Sequence, residues 1–474
     1  MMRLMLDHAA VPAGDRALLP PDPPARVCRR RALAARSLLA LCTLSLCAVA
    51  NAHSAPTAGA GLAPIERRLA TSVDRHTPEA LQLLQRAVDI NSGTLNFEGV
   101  RKVSDLFVPE FERLGFRTRW SPGAAWGRAG HLIAEHGSRG PRIVLVGHLD
   151  TVFEPDSPFQ RFQYVDDSTA TGPGITDMKG GDVIMLLAMR ALKDQGALDG
   201  LRITVVLMGD EEKSGDPLEA ARADLIRAAE GATAAIGFED GDGDPRHVVV
   251  ARRGSSGWQL RVRGTPSHSS QVFSDGVGIG AIFEAARLLE QFRDSLGHEP
   301  YLTFNPGLIV GGTAISHEPA AARGTAFGKG NVVAESTLVT GDLRTLTLEQ
   351  RARAQVTMRR IVANSSPRTS ASIVFDDGYP PLSPTDGNRK LLALVDQASR
   401  DLGLGALEAV DPARAGAADV SFLGGRVPMI IDAMGLKGSG GHTVLETARL
   451  NSLAWQAKRT AVLLYRLSRL PAAH

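Results

Sequence analysis

Past residue 47 the chain has no cysteine: all three, Cys28, Cys42 and Cys47, sit near the amino terminus. That removes disulfides, thiolate nucleophiles and cysteine-ligated zinc from the rest of the protein. Any metal there must be held by histidine and carboxylate. Excess charge is also missing. Charged residues make up 22% with a formal net charge of +2, so nothing points to nucleic acid as a partner. There is no internal repeat. No G-x-S-x-G occurs, which argues against a serine hydrolase. H-E-x-x-H is absent too, because His298-Glu299 and His317-Glu318 are each followed by proline. The apolar run Ser37 to Ala50 falls short of the ~20 residues that span a bilayer.

That run follows Arg29-Arg30-Arg31 and ends in Ala50-Asn51-Ala52, a small-x-small cleavage site. Basic region, short apolar core and cleavage site together describe a secretory signal peptide. The expectation is a leader over 1–52 and a periplasmic or secreted mature protein with no stable membrane partner. A membrane anchor is the rival. Leu46 is too large for the position before the cysteine of a lipoprotein box, and the arginine run leaves a twin-arginine signal open. At 474 residues the chain exceeds one ordinary domain, and two are expected.

The chain is organised around V-G-H-L-D-T-V at 146–152. Ile143 to Val146 reads as a strand buried on both faces of an α/β sheet. Ligand sites in such sheets lie at the carboxyl ends of strands. His148 and Asp150 are two apart and share one face of extended chain. Asp150 could hold the second imidazole nitrogen of a metal-binding His148; a structural histidine beside a polar turn is the plainer alternative.

Upstream, Thr77-Pro78-Glu79 reads as a helix start, and a second helix is expected from Phe97 to Leu114. Downstream, the glycine-rich segment 171–181 places Asp177 just before an all-apolar helix, Val183 to Leu192, where it is either an N-cap or a ligand. Ile203 to Met208 is another buried strand, ending in Asp210-Glu211-Glu212. Consecutive acids at a strand end repel one another unless cations neutralise them. Ala234 to Phe238 ends in Glu239. The run Asp240 to Asp244 lacks the Gly and Glu of a calcium loop and reads as a solvated turn.

Near Gly254 the pattern changes to half-exposed alternation. A helix at about 276–295 should bury Ile279, Ile282, Phe283, Ala286 and Leu289. Strands recur near 302–310, 332–339 and 343, and a helix over about 348–363 follows. This β-α-β-β-α-β order is ferredoxin-like. The expected layout is a catalytic domain in two parts, 53–253 and 375–474, with a smaller α+β lid domain at 254–374.

His148, Asp177, Glu211, Glu212, Glu239 and His442 thus fall at strand ends or loops of one sheet. Two histidines and three carboxylates can ligate two divalent ions with one carboxylate bridging, leaving one acid to move protons. Histidine and carboxylate without thiolate suit zinc with open positions.

The motifs H-L-D-T-V at 148–152, G-P-G-I-T-D-M-K-G-G at 172–181, D-E-E-K at 210–213, G-F-E at 237–239, S-H-S at 267–269 and G-H-T at 441–443 come in a fixed order. In that order the chain resembles the zinc-dependent aminoacylase/carboxypeptidase family of co-catalytic metallopeptidases, and within it the bacterial glutamate carboxypeptidases. The resemblance implies an α/β, mixed-sheet zinc-peptidase domain carrying an inserted lid. It implies that His148 and Glu239 hold one zinc, Glu212 and His442 the other, and that Asp177 bridges. Asp150 would orient His148, and Glu211 would be the general base. On the lid, His268 would polarise the scissile carbonyl, while Asn331 and Arg344 would bind the substrate's terminal carboxylate. The expected substrate is a small peptide or N-acyl amino acid, and a homodimer through the lid domain is expected. The chain departs from the glutamate carboxypeptidases at Asp377-Gly378-Tyr379-Pro380, where they carry a basic residue; Arg252 or Arg253 could supply that charge. The rivals are an N-acyl amino acid deacylase or dipeptidase of the same family, and a non-catalytic periplasmic binding protein on a hydrolase scaffold.

Overall fold

The computed structural model describes residues 61–470. The leader expected over 1–52 lies outside the described residues. No helix of the described residues is long and apolar enough to cross a membrane.

The β-branched runs become the centre of a six-stranded sheet. Its order is Arg117–Pro122, Gly130–His136, Arg202–Met208, Arg142–His148, Ala234–Gly237 and Ile430–Ile431. The first two strands are antiparallel additions, and the other four run parallel, so the sheet is mixed. Alternation along Arg142–His148 serves two cores. Ile143 and Leu145 face a layer built from the helices Pro64–Val88, Gly180–Asp194 and Asn451–Leu467, while Val144 and Val146 face Leu225, Val420 and Leu423. Helix Gly180–Asp194 is buried along nearly its whole length, as its all-round apolarity requires. It lies close beneath the strand because residue 147 is glycine: a Cβ there would meet Asp182 Oδ1 at 2.4 Å and Met185 Cε at 2.8 Å.

The lid is an antiparallel sheet in the order Thr303–Gly312, Ser336–Arg344, Ser255–Gly264, Thr369–Tyr379. Helices Gly280–Leu296 and Leu348–Ala363 pack on it through Ala281, Ala285, Leu288, Phe292, Met358 and Ile361. This is the ferredoxin-like arrangement.

Three local expectations are corrected. The first helix starts at Pro64, not near Pro78. Pro64 supplies the pre-set φ of a first turn and Glu66 accepts from the Ala63 amide at 2.8 Å. Pro78 lies within the helix, where the Thr77 hydroxyl bonds back to the Val73 carbonyl at 2.8 Å. The lid helix Gly280–Leu296 buries a different face. Ile282 and Phe283 are 48% and 58% exposed, because the smaller Ala281 and Ala285 let the helix sit closer to the sheet. Residues 336–344 form one strand, and a hairpin, Ala314–Glu318 with Arg323–Phe327, precedes it.

Candidate metal centre

The carboxyl ends of the parallel strands deliver the acids and one histidine to a common rim. His148 is the last residue of its strand, Glu211 and Glu212 follow Met208, and Glu239 follows Gly237. Asp177 arrives from the loop before helix Gly180–Asp194, and His442 from the loop after Gly438–Ser439. Asp177 lies between the two histidines. Its Oδ1 is 3.0 Å from His148 Nε2, and its Oδ2 is 2.9 Å from His442 Nε2. Glu239 Oε1 is 3.6 Å from His148 Nε2, and Glu212 Oε2 is 3.1 Å from His442 Nε2. Candidate ligand atoms of His148, Asp177 and Glu212 all lie within 4.8 Å of one another, so these three could hold a metal ion. The donor set fits one: Glu212 Oε1 is buried with no hydrogen-bond partner among the described residues, although buried carboxylate oxygens are nearly always satisfied.

Asp150 works partly otherwise than expected. Its main-chain carbonyl, at 3.0 Å, takes the hydrogen bond of His148 Nδ1, and its own Oδ1 stands at 3.5 Å. The carboxylate accepts from Thr94 Oγ1 at 2.6 Å and from the amides of Glu211 and Glu212, each at 3.1 Å. One residue therefore fixes both the imidazole and the acidic turn. The Glu211 carboxyl makes no hydrogen bond or ion pair among the described residues.

His268, Asn331 and Arg344 are not brought to this rim by any hydrogen bond or ion pair among the described residues. His268 is exposed and accepts from the Ser270 amide at 3.2 Å. It sits beside exposed Asn331, whose carbonyl accepts from Ser269 N at 2.9 Å. Arg344 pairs with Asp342 at 2.8 Å at the end of its strand. Of the two candidate cations, Arg252 is charge-paired, whereas Arg253 contacts only neutral oxygens and makes no ion pair among the described residues. Arg252 is buried against Asp432, Nε to Oδ2 2.8 Å, and Arg253 binds Thr303 and the Ala413 carbonyl.

Residues 144–466 match Peptidase family M20/M25/M40. The chain belongs to this family. It is 25% identical over 377 residues to carboxypeptidase G2 of Pseudomonas sp. (strain RS-16), covering 77% of this chain and 83% of that one. It is 30% identical over 229 residues to acetylornithine deacetylase of Pasteurella multocida, covering 46% of this chain and 57% of that one. Among solved structures it resembles aminopeptidase PepT of Bacillus cereus, with a TM-score of 0.67, 18% identity, and coverage of 83% and 99%. The protein is thus an enzyme of the peptidase or aminoacylase type, and its mixed sheet with an inserted lid is this family's fold.

In this family member the rim's charges are tightly coupled. Burial opposes ionisation of Asp177, but hydrogen bonds from His148 and His442 hold it well below the usual carboxylate range. Hydrogen bonds to Asp177 and Glu212 push His442 up to about 11. Burial, then the charge of Asp419, raises Glu211 well above its usual value. Burial, joined by the negative charge of Asp177, raises Glu212, Asp240 and Glu446 each to about 7.

Those three acids predict how the metal-free protein responds to pH. An acid whose folded pKa is raised binds its proton more tightly folded than unfolded. The stability it lends is complete below its unfolded pKa and lost as pH rises through the folded one. Chelated protein should therefore melt several degrees lower at pH 8 than at pH 5.5, and added divalent ions should abolish the difference. Equal melting temperatures for the chelated protein at both pH values would contradict this.

Several supporting residues escaped the sequence reading. Buried Glu446 accepts from the amides of Gly174 at 2.9 Å, Thr176 at 2.8 Å and Asp177 at 3.2 Å, holding the loop that presents Asp177. Asp432 accepts from the Glu239 amide at 3.3 Å. An acid just past His442 and a fourth strand ending in an acid were the available signals. Glu446→Gln keeps the size but places an NH2 against these donors. It should reduce metal affinity by about 10–100-fold while folding is retained, and titration of the chelated variant with zinc measures this.

Proposed function

We propose that the protein hydrolyses the amide bond to a C-terminal amino acid, as a carboxypeptidase using two divalent ions, zinc by donor chemistry. The observation that carries this reading is the Asp177 carboxylate, one oxygen on each histidine, beside a Glu211 carboxyl with no hydrogen-bond or ion-pair partner among the described residues. His148 and Glu239 would hold one ion, Glu212 and His442 the other, with Asp177 between them. When bound, such a pair lowers the pKa of water and stabilises developing oxyanion charge. Glu211 takes the proton from the attacking water on a carboxylate oxygen and delivers it to the leaving nitrogen. Burial and the neighbouring carboxylates raise Glu211 above the usual carboxylate range, which favours its accepting a proton. His268 donates to the scissile carbonyl oxygen once the lid presents it. Asn331 and Arg344 bind the terminal carboxylate of the substrate.

Arg344→Ala should raise KM by about 10–100-fold with kcat little changed, the effect of one lost charge-assisted hydrogen-bond pair. Steady-state kinetics decides it, and an unchanged KM removes Arg344 from the site. A deacylase reading is supported by the similarity to acetylornithine deacetylase. Hydrolysis of a panel of peptidyl and N-acyl Glu, Asp and neutral residues separates the two. Release from peptidyl substrates supports the carboxypeptidase, release from acyl substrates alone supports the deacylase, and release from none leaves the binding-protein reading.

Homodimerisation through the lid is supported by the exposed Ile282 and Phe283 face of its helix, with the Phe273 and Phe283 rings tilted against each other, centroids 5.7 Å apart. Sedimentation of Phe283→Glu against the wild type tests it. A periplasmic or secreted location is supported only by the sequence pattern over 1–52.

A further inference from the structure

Two chain crossings join the lid to the catalytic domain, at Arg252 to Ser255 and at Gly378 to Leu382. Tyr379 is the last residue of the lid strand Thr369–Tyr379 and pairs with Ser255. It marks the position where the chain departs from the glutamate carboxypeptidases. Its hydroxyl lies among groups of the catalytic domain. It is 3.0 Å from the Glu211 carbonyl and 3.0 Å from Ser214 Oγ, and it is bonded to Arg222 Nη2. The proton directions follow from the partners. A guanidinium only donates, and a carbonyl only accepts. The single phenolic proton must therefore go to Glu211, and Ser214 donates to the phenol oxygen while accepting from Arg222 Nη2 at 3.0 Å.

The rest of the network makes this anchor rigid. Arg222 is fully buried, with Nη1 on Asp210 Oδ1 at 2.7 Å, Nη2 on the Asp210 carbonyl at 3.2 Å, and Nε 2.8 Å from Asp419 Oδ1. Its guanidinium carbon stands 5.4 Å from the Tyr379 ring centroid and 5.5 Å from that of Phe422. On the far side of the turn, Asp150 holds the amides of Glu211 and Glu212. The Glu211 main chain is thus gripped from two directions: its N–H by Asp150, just past the strand that ends in His148, and its C=O by the lid.

We infer that Tyr379 is a positioning residue that ties the lid to the turn carrying Glu211, so that the lid's seating sets where the Glu211 carboxyl points. This rests on the proposed role of Glu211 as the base, but the structural tie itself does not. Removing the hydroxyl leaves a carbonyl without its donor and frees one side of the turn, while the ring keeps its packing on Arg222 and Phe422. Ground-state substrate contacts and the metal donors are untouched. The expected signature is therefore in kcat, not KM.

The test compares Tyr379→Phe and Tyr379→Leu with the wild type in two measurements. The first is amide hydrogen exchange of peptides spanning 209–216 in chelated protein, which needs no substrate. The second is steady-state kinetics of the zinc-loaded enzyme on whichever panel substrate the wild type cleaves. In Tyr379→Phe, exchange of that segment should rise by about tenfold or more, and kcat should fall by about tenfold with KM within twofold. Faster exchange in a protein whose wild type cleaves nothing upholds the tie and sinks the hydrolase reading instead. Unchanged exchange overturns the inference. So does faster exchange with unchanged kcat, or a loss confined to KM. Wild-type behaviour of Tyr379→Phe beside a damaged Tyr379→Leu assigns the residue to packing alone and overturns it too.

Discussion

Glu211→Ala should lower kcat by about 10²–10⁴-fold while both ions stay bound. The structure makes this substitution unusually clean. The main chain of Glu211 is fixed independently of its side chain, by Asp150 at the amide and by Tyr379 at the carbonyl. The side chain makes no hydrogen bond or ion pair among the described residues, so its removal should not disturb the turn that presents Glu212. Desolvation and the charges of Asp419, Glu212 and Asp177 oppose ionisation of this carboxyl, so its removal sacrifices little favourable electrostatic interaction. The variant should therefore be no less stable than the wild type. Kinetics beside metal analysis checks both halves. A variant that keeps its turnover contradicts the role given to Glu211, and one that loses its metal makes Glu211 a ligand.

The second large effect belongs to Asp177. Its two oxygens each meet one histidine, and no other side chain among the described residues pairs with both. Asp177→Ala removes the group that would neutralise both ions at once and leaves Glu212, Glu239 and Asp240 to repel around the gap. Turnover should fall beyond the ~10⁴-fold upper end expected of one proton-transfer group. Asp177→Asn is nearly as severe, since an amide presents donor hydrogens to one of the two sides. Titration with zinc followed by kinetics measures both variants. Retention of more than about a hundredth of wild-type kcat would mean that the ions do not depend on a shared carboxylate.

Much of this centre was legible in the sequence because its chemistry is local in kind. His148, Glu212 and Glu239 each follow an apolar strand run, and the parallel-sheet pattern alone places such strand ends on one edge. Asp177 and His442 were legible only as acids or histidines in glycine-rich loops, whose meeting point periodicity does not encode. The supporting residues were harder still. Glu446 and Gly174 are 272 positions apart, and Arg222 meets Tyr379 across 157. A single buried charge within an apolar segment gives no pattern until its partner is known. The lid helix failed for a different reason. Ile282 and Phe283 satisfy a helical period as well as Ala281 and Ala285 do, and hydrophobicity alone chooses the bulkier face. Packing against the lid sheet chose the smaller one.

Metal content of the purified protein tests the two-ion centre most directly. About two divalent ions per chain should be found by elemental analysis after dialysis against metal-free buffer and reloading with zinc. The same protocol on Asp177→Ala should return one or fewer. A wild-type protein that binds no ion, or an Asp177→Ala variant that still holds two, would contradict the account.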